Sequence, residues 1–262
     1  MNGLLRDTLA EMVSRKIFVL FVIVTMVLLL AVWGTWEVRL NISGDQGFSD
    51  AASGAAASLV AEAFAKVMSV LVFFAVFATA GLLPRSLERG RAEFFLSKPL
   101  SRAQLLTARL VSIWLVYGLM VVACGMIVYV VMVMAHGGFD PAMIYLFAMT
   151  LVEYGVWVSI VGLAGILFGS SSWAMIIAFS VWVAQLLLAS HDTFRNLLTN
   201  QVILYTIDTL YYLVPKTSQM RDLAVNLAVG QPVESWLPLW SSVVVAAILY
   251  YCAISVFARR DY

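Results

Sequence analysis

Six stretches of the chain are apolar over the length of a membrane crossing: Ile17 to Trp36, Val67 to Leu83, Leu110 to Ala135, Ala142 to Phe168, Trp173 to Ala189 and Leu237 to Ala258. A helix of about 20 apolar residues crosses roughly 30 Å of hydrocarbon, so the pattern predicts six transmembrane helices. Runs this long exclude a membrane barrel, whose strands take about 10 residues and alternate in polarity. In hydrocarbon every backbone polar group must be paired within its own segment, which leaves the helix. The second stretch is short, but helical patterning reaches back from Val67 to about Asp50. Glu62 and Lys66 stand four apart on it in the favourable order, and the small residues from Ala51 to Ala57 suit close helix packing. The first stretch follows basic residues as a signal peptide would. It is too long for an h-region, however, and ends in bulky Trp33 and Trp36, so it reads as a retained span.

Three polar segments between the spans carry pattern of their own. Residues 1–16 set Leu4, Leu5, Leu9, Met12 and Val13 on one face against Arg6, Asp7, Glu11 and Arg15, the arrangement of an interfacial amphipathic helix that then turns into the first span. Residues 190–236 are too many for an idle connection. Within them Met220, Leu223, Ala224, Leu227 and Ala228 keep helical spacing. Gly230 and Pro232 stop that helix, and Pro215 separates it from an earlier one through Phe194 to Tyr212. Two short helices are expected here, at the outer surface and dipping into the membrane. The loop 84–102 mixes both charge signs with Phe94, Phe95 and Leu96. Pro99 ends one helix, and Ser101 with Gln104 forms a capping box that starts the next.

Composition sharpens this picture. The chain is 63% hydrophobic and 12% charged, where a soluble domain carries about 25% charged residues. Of 16 lysines and arginines, the side shared with the N-terminus holds Arg6, Arg15, Lys16, Arg85, Arg89, Arg91, Lys98, Arg102, Arg109, Arg259 and Arg260; the other side holds Arg39, Lys66, Arg195, Lys216 and Arg221. The positive-inside rule then puts both termini in the cytoplasm. Tryptophans agree: Trp33, Trp36, Trp236 and Trp240 fall at outer ends, Trp114 and Trp173 near inner ends. A net charge of +1 without an arginine-rich arm excludes nucleic acid as a partner. Cys124 and Cys252 sit in apolar runs and read as small hydrophobes.

Candidate chemistry is sparse. No glycine precedes Lys16, Lys66, Lys98 or Lys216, so no Walker A loop can cradle ATP phosphates. Ser170, Ser171 and Ser172 begin the fifth span while His191 follows its outer end, too far apart for proton transfer. Met120, Met126, Met132 and Met134 offer thioethers but read as gap-filling or lipid-facing residues; no metal site is expected. Glu153 stands near the middle of the fourth span, where an acid is costly. It can line a translocation path, relay protons, or tie helices together as a protonated hydrogen-bonding group.

The loop reads Glu88, Gly90, Glu93, then Phe95-Leu96-Ser97 and Pro99-Leu100-Ser101-Arg102, and the chain ends Phe257-Ala258-Arg259-Arg260-Asp261. Together with the topology, these motifs resemble the permease subunits of ABC-2-type ABC transporters over nearly the whole chain, although Arg91 stands where that family often has threonine. The resemblance implies an all-α membrane protein of the ABC-2 (type V exporter-like) fold, in which 1–262 form a single transmembrane domain in a prokaryotic cell membrane. It implies that the 84–102 loop is a coupling helix, with Ser86, Glu88, Arg89, Gly90, Glu93, Phe94 and Phe95 meeting a separate ABC ATPase subunit, present in two copies. This chain would be non-catalytic and hold no cofactor; ATP and Mg would be bound by the ATPase, and a second permease copy or a homologue would complete the pathway. Alternating-access export is then the expected function. Two other readings fit the same residues: a scaffold or mechanotransmitter that drives an external partner through residues 190–236, and an ion-coupled carrier built on Glu153.

Overall fold

The computed structural model describes residues 2–14, 16–43, 50–82, 84, 101–136, 141–188, 205, 209, 211, 214–233 and 235–259. The coupling-loop residues Ser86, Glu88, Arg89, Gly90, Glu93, Phe94 and Phe95 lie outside them, as do His191 and most of the expected helix through Phe194 to Tyr212. The described elements are helical: α1 (Asn2–Ser14), α2 (Ile17–Ser43), α3 (Asp50–Ala80), α4 (Arg102–His136), a 3-10 turn (Pro141–Met143), α5 (Ile144–Phe168), α6 (Ser171–Leu188), α7 (Thr217–Val229) and α8 (Leu237–Arg259).

Four helical stretches are long and apolar enough to cross a bilayer: Ser58–Ala80, Arg102–Met134, Pro141–Phe168 and Leu237–Arg259. Arg6–Ser14 and Ile17–Leu30 make a fifth only if taken together, and they are bent by 68°. α6 is apolar but shorter; its 18 residues cover roughly 27 Å at 1.5 Å per residue against a core of about 30 Å. Length and composition among the described residues therefore give four or five spans where the sequence pattern predicts six. The difference lies in α2 and α6, of which only Ile17–Leu30 and Ser171–Gln185 enter that count. α3 does run back to Asp50 as the patterning predicted.

The bend between α1 and α2 falls at Lys16, whose φ of 54° is unusual for a residue with a side chain. Its N–H still donates to Val13 O at 3.1 Å, and its carbonyl accepts from the Leu20 N–H at 3.2 Å. What holds α1 after this turn is Arg109 of α4. Its Nη1 donates to Asp7 Oδ2 at 2.9 Å and Thr8 Oγ1 at 3.1 Å, and its Nη2 to Glu11 Oε2 at 2.7 Å. Sequence patterning placed Asp7 and Glu11 on a solvated face and counted Arg109 only as a positive-inside residue. In the structure Arg109 is buried and these groups are one polar knot. The Ser101 capping box forms as predicted: the Gln104 N–H donates to Ser101 Oγ at 3.2 Å, and the Ser101 N–H to Gln104 Oε1 at 3.1 Å.

α5 is the hub. It packs against α3, α4, α6, α7 and α8, and 67% of its most apolar window is buried, against 17% for α8. Exposed Trp240, Val244, Ile248 and Tyr251 form an outward stripe along α8. Between α3, α4 and α5, the rings of Phe64, Tyr129 and Phe147 meet with centroids 5.4 to 6.2 Å apart. Beside them Gly125 lets α4 approach α3 so closely that a Cβ there would overlap Met68 Sδ, the use of small residues that membrane packing favours. Trp114, read from sequence as near an inner end, is half-buried, its indole N–H donating to Leu151 O of α5 at 3.0 Å.

Arg109→Met should release α1. We expect amide exchange across residues 2–14 to rise about ten-fold or more, as the loss of hydrogen bonds to a charged group implies, while exchange in α5 stays as in the parent. Unchanged protection of α1 would show that the knot does not hold it.

Candidate functional site

Glu153 is the one carboxylate in α5, a helix otherwise built of apolar and small residues. The hydroxyls of Thr150 and Ser159 on the same helix are turned to their own backbone: Thr150 donates to Leu146 O at 2.7 Å and Ser159 to Val156 O at 2.7 Å. They do nothing for the acid, whose side chain is only 9% exposed. An unpaired carboxylate at that depth would be very costly. Its partner is Arg221 of α7, whose Nη2 lies 3.5 Å from Glu153 Oε1.

Arg221 reaches the acid because α7 is seated on the spans. Met220, Leu223, Ala224, Val225 and Ala228 of α7 are buried, close to the face that sequence spacing indicated, with Val225 joining it and Leu227 only half-buried. Gly230, at φ 74°, ends α7 where it was expected to end. Three polar contacts fix this helix to three different neighbours. The Lys216 N–H donates to Ser242 Oγ of α8 at 2.9 Å. Thr217 Oγ1 donates to Gln185 Oε1 of α6 at 2.5 Å. Arg221 meets Glu153 of α5. Lys216 also sets its ammonium 3.7 Å over the Tyr211 ring.

A cavity of about 380 Å³ opens beside this seat, between α3, α5, α6 and α7. Its walls are aromatic and aliphatic: Phe73, Phe74 and Phe77 of α3, Trp157 of α5 and Trp182 of α6. Phe73 packs at a tilt against Phe77 and Trp182, with centroids 4.6 and 5.3 Å away. One corner is polar, formed by Glu153, Arg221, Gln185 and Thr217. Val70 and Trp182 also line the space and are 37% and 36% exposed, so it reaches the bundle surface between α3 and α6. An apolar pocket of this size with a few convergent polar groups is the usual form of a small-molecule site. Among the described residues no three of His, Cys, Asp and Glu gather as metal ligands.

Of the sequence candidates, Glu153 alone is both described and part of this site. Arg221, Gln185 and Thr217 were missed. A signal existed for Arg221: it shares a helical face with Thr217, Ala224, Val225 and Ala228, so a cation sat among residues marked for burial. It was counted instead as one of the outer basic residues. Gln185 gave a weaker signal as the lone amide in the apolar fifth stretch. The methionines of α4 face different ways, Met120 and Met132 buried, Met126 and Met134 exposed, so they form no common thioether cluster.

Compared with known proteins, the chain matches the family model described as ABC-2 family transporter protein over residues 5–262. It belongs to that family, as the loop and terminal motifs indicated. Among curated proteins no match is found.

Glu153→Gln keeps an acceptor for Arg221 in nearly the same volume, and should insert and assemble close to the parent level. Glu153→Leu leaves a guanidinium unpaired against apolar walls and should lose about 3 kcal/mol or more, read as a lower melting temperature and a smaller folded fraction in detergent. Equal stability of the Leu variant and the parent would contradict the pairing.

Proposed function

We propose, from this chain's membership of the ABC-2 transporter family, that it is the permease subunit of an ATP-driven exporter. The observation that carries the reading is a partly polar cavity between α3, α5, α6 and α7, in a chain that matches the family from residue 5 to 262. Such a chamber suits alternating access, with Glu153 on its wall as part of the translocation path. ATP and Mg are bound by a separate ABC ATPase, two copies of which work with two permease chains, this one paired with itself or a homologue.

On this reading the 1–262 chain is one transmembrane domain with six spans, α2 and α6 completing the set. Both termini lie in the cytoplasm of a prokaryotic cell whose inner membrane it crosses; the charge distribution supports that orientation. Residues 1–16 lie along the inner leaflet, residues 190–236 pack at the outer side, and 84–102 form the coupling loop. Ser86, Glu88, Arg89, Gly90, Glu93, Phe94 and Phe95 meet the ATPase. The capped start of α4 at Ser101 supports this assignment, because a loop that transmits movement must join a stiff helix. Membrane lipid surrounds the remaining faces.

Glu88→Lys and Glu93→Lys test the coupling. Each variant should insert and fold as the parent does, since a loop side chain facing water or a partner adds little to stability. Stimulation of the co-purified ATPase in proteoliposomes should fall by about ten-fold, the effect of reversing a charge at an interface. Parental stimulation by both variants would make the loop a membrane anchor and sink the coupling assignment.

A further inference from the structure

We propose that the cavity between α3, α5, α6 and α7 binds an amphiphile with an apolar chain and a net-neutral headgroup that carries an acceptor oxygen. The inference rests on the permease reading only in taking this occupant as cargo; binding itself follows from the site.

The walls select the chain. Phe73, Phe77, Trp157 and Trp182 offer ring faces to an apolar body, and the exposed Val70 and Trp182 mark the side from which a molecule dissolved in the bilayer enters. The corner selects the head. Gln185 is 6% exposed; its Oε1 accepts from Thr217, which leaves its Nε2 as a buried donor without a partner. Arg221 is in the same condition: Nη2 faces Glu153, while the buried Nε has no partner. A buried donor left unmade costs about 1–3 kcal/mol, and both donors belong to residues that line this one space. They call for an acceptor oxygen.

Charge excludes the rest. Glu153 already neutralises Arg221 within the site, and Asp222 adds further negative charge near Arg221, so an anionic head would meet net repulsion. A cationic head would meet two N–H donors and a guanidinium. A hydroxyl, ester, amide or zwitterionic head supplies the oxygen and brings no uncompensated charge into a low-dielectric pocket.

The test uses the full-length chain in phosphatidylglycerol nanodiscs, whose anionic headgroup makes the bilayer itself a poor competitor. Three photoreactive alkyl probes of equal length carry a glucoside, a carboxylate or a trimethylammonium head. Labelling of residues 69–77 and 178–185 is normalised to labelling of the outward stripe Val244 to Tyr251 on α8, which corrects for partition. The glucoside probe should label the cavity about ten-fold more than either charged probe, the discrimination of one well-made polar contact. Gln185→Leu should reduce that labelling about ten-fold, and Phe77→Trp, which fills the space without touching the polar corner, should reduce it as well. Equal normalised labelling by the three heads, or labelling indifferent to both variants, overturns the proposal; so does labelling no higher than on the stripe, which would mean a cavity occupied by water or bulk lipid. The ATPase separates the two readings. If no ATPase co-purifies but the glucoside labels the cavity, the permease reading falls and the binding site stands. If probe-independent ATPase coupling is present and the cavity is unlabelled, the reverse holds.

Discussion

A charge in hydrocarbon must bring its counter-charge with it, and in this protein the counter-charge comes from a helix that is not among the candidate spans. Glu153 is held near the middle of α5; Arg221 is on α7, a short helix of modest hydrophobicity. The pair can form only if α7 leaves the surface and packs into the bundle. Once it does, the Lys216 and Thr217 contacts to α8 and α6 fall into place, and α7 becomes the lid of one wall of the cavity. A 3.5 Å ion pair is weak as a direct bond. Its importance lies in what its absence would cost, since either partner alone would be a buried, uncompensated charge.

A second polar knot forms where Arg109 binds Asp7, Thr8 and Glu11. The two differ in what they join. Arg109 fastens the N-terminal helix to the helix that emerges from the 84–102 loop, so α1 and α4 act as a unit. Glu153 and Arg221 fasten a peripheral helix to the hub. The other contacts are apolar rings, a glycine beside Met68, and the Trp114 bond to α5. Such contacts guide the close approach of neighbouring helices.

The apolar runs made most of the fold legible. A span announces itself by length, so α3, α4, α5 and α8 could be placed from sequence. So could the Ser101 cap and the Gly230 stop, because each depends on residues three or four positions apart. The family was legible too, from loop and terminal motifs read together with topology. What stayed hidden were contacts between residues far apart in the chain. Nothing local to Glu153 indicates Arg221, 68 residues on, and nothing local to Arg109 indicates Asp7. The span number stays at four or five among the described residues, because only Ile17–Leu30 of α2 and Ser171–Gln185 of α6 enter that count. The sequence marked one residue of the site, and the other three became visible only when α7 was seen against α5 and α6.

The direct test of this account is a double-mutant cycle across the pair, in the intact chain, with stability in lipid as the readout. Glu153→Leu and Arg221→Met each strand a charge, whereas the double variant strands none and leaves apolar groups of similar size facing each other. If pairing governs the seat of α7, the double variant will be more stable than either single one, with a coupling of about 2 kcal/mol or more. Losses that simply add would mean that Glu153 and Arg221 do not depend on one another, and that α7 is held by other means.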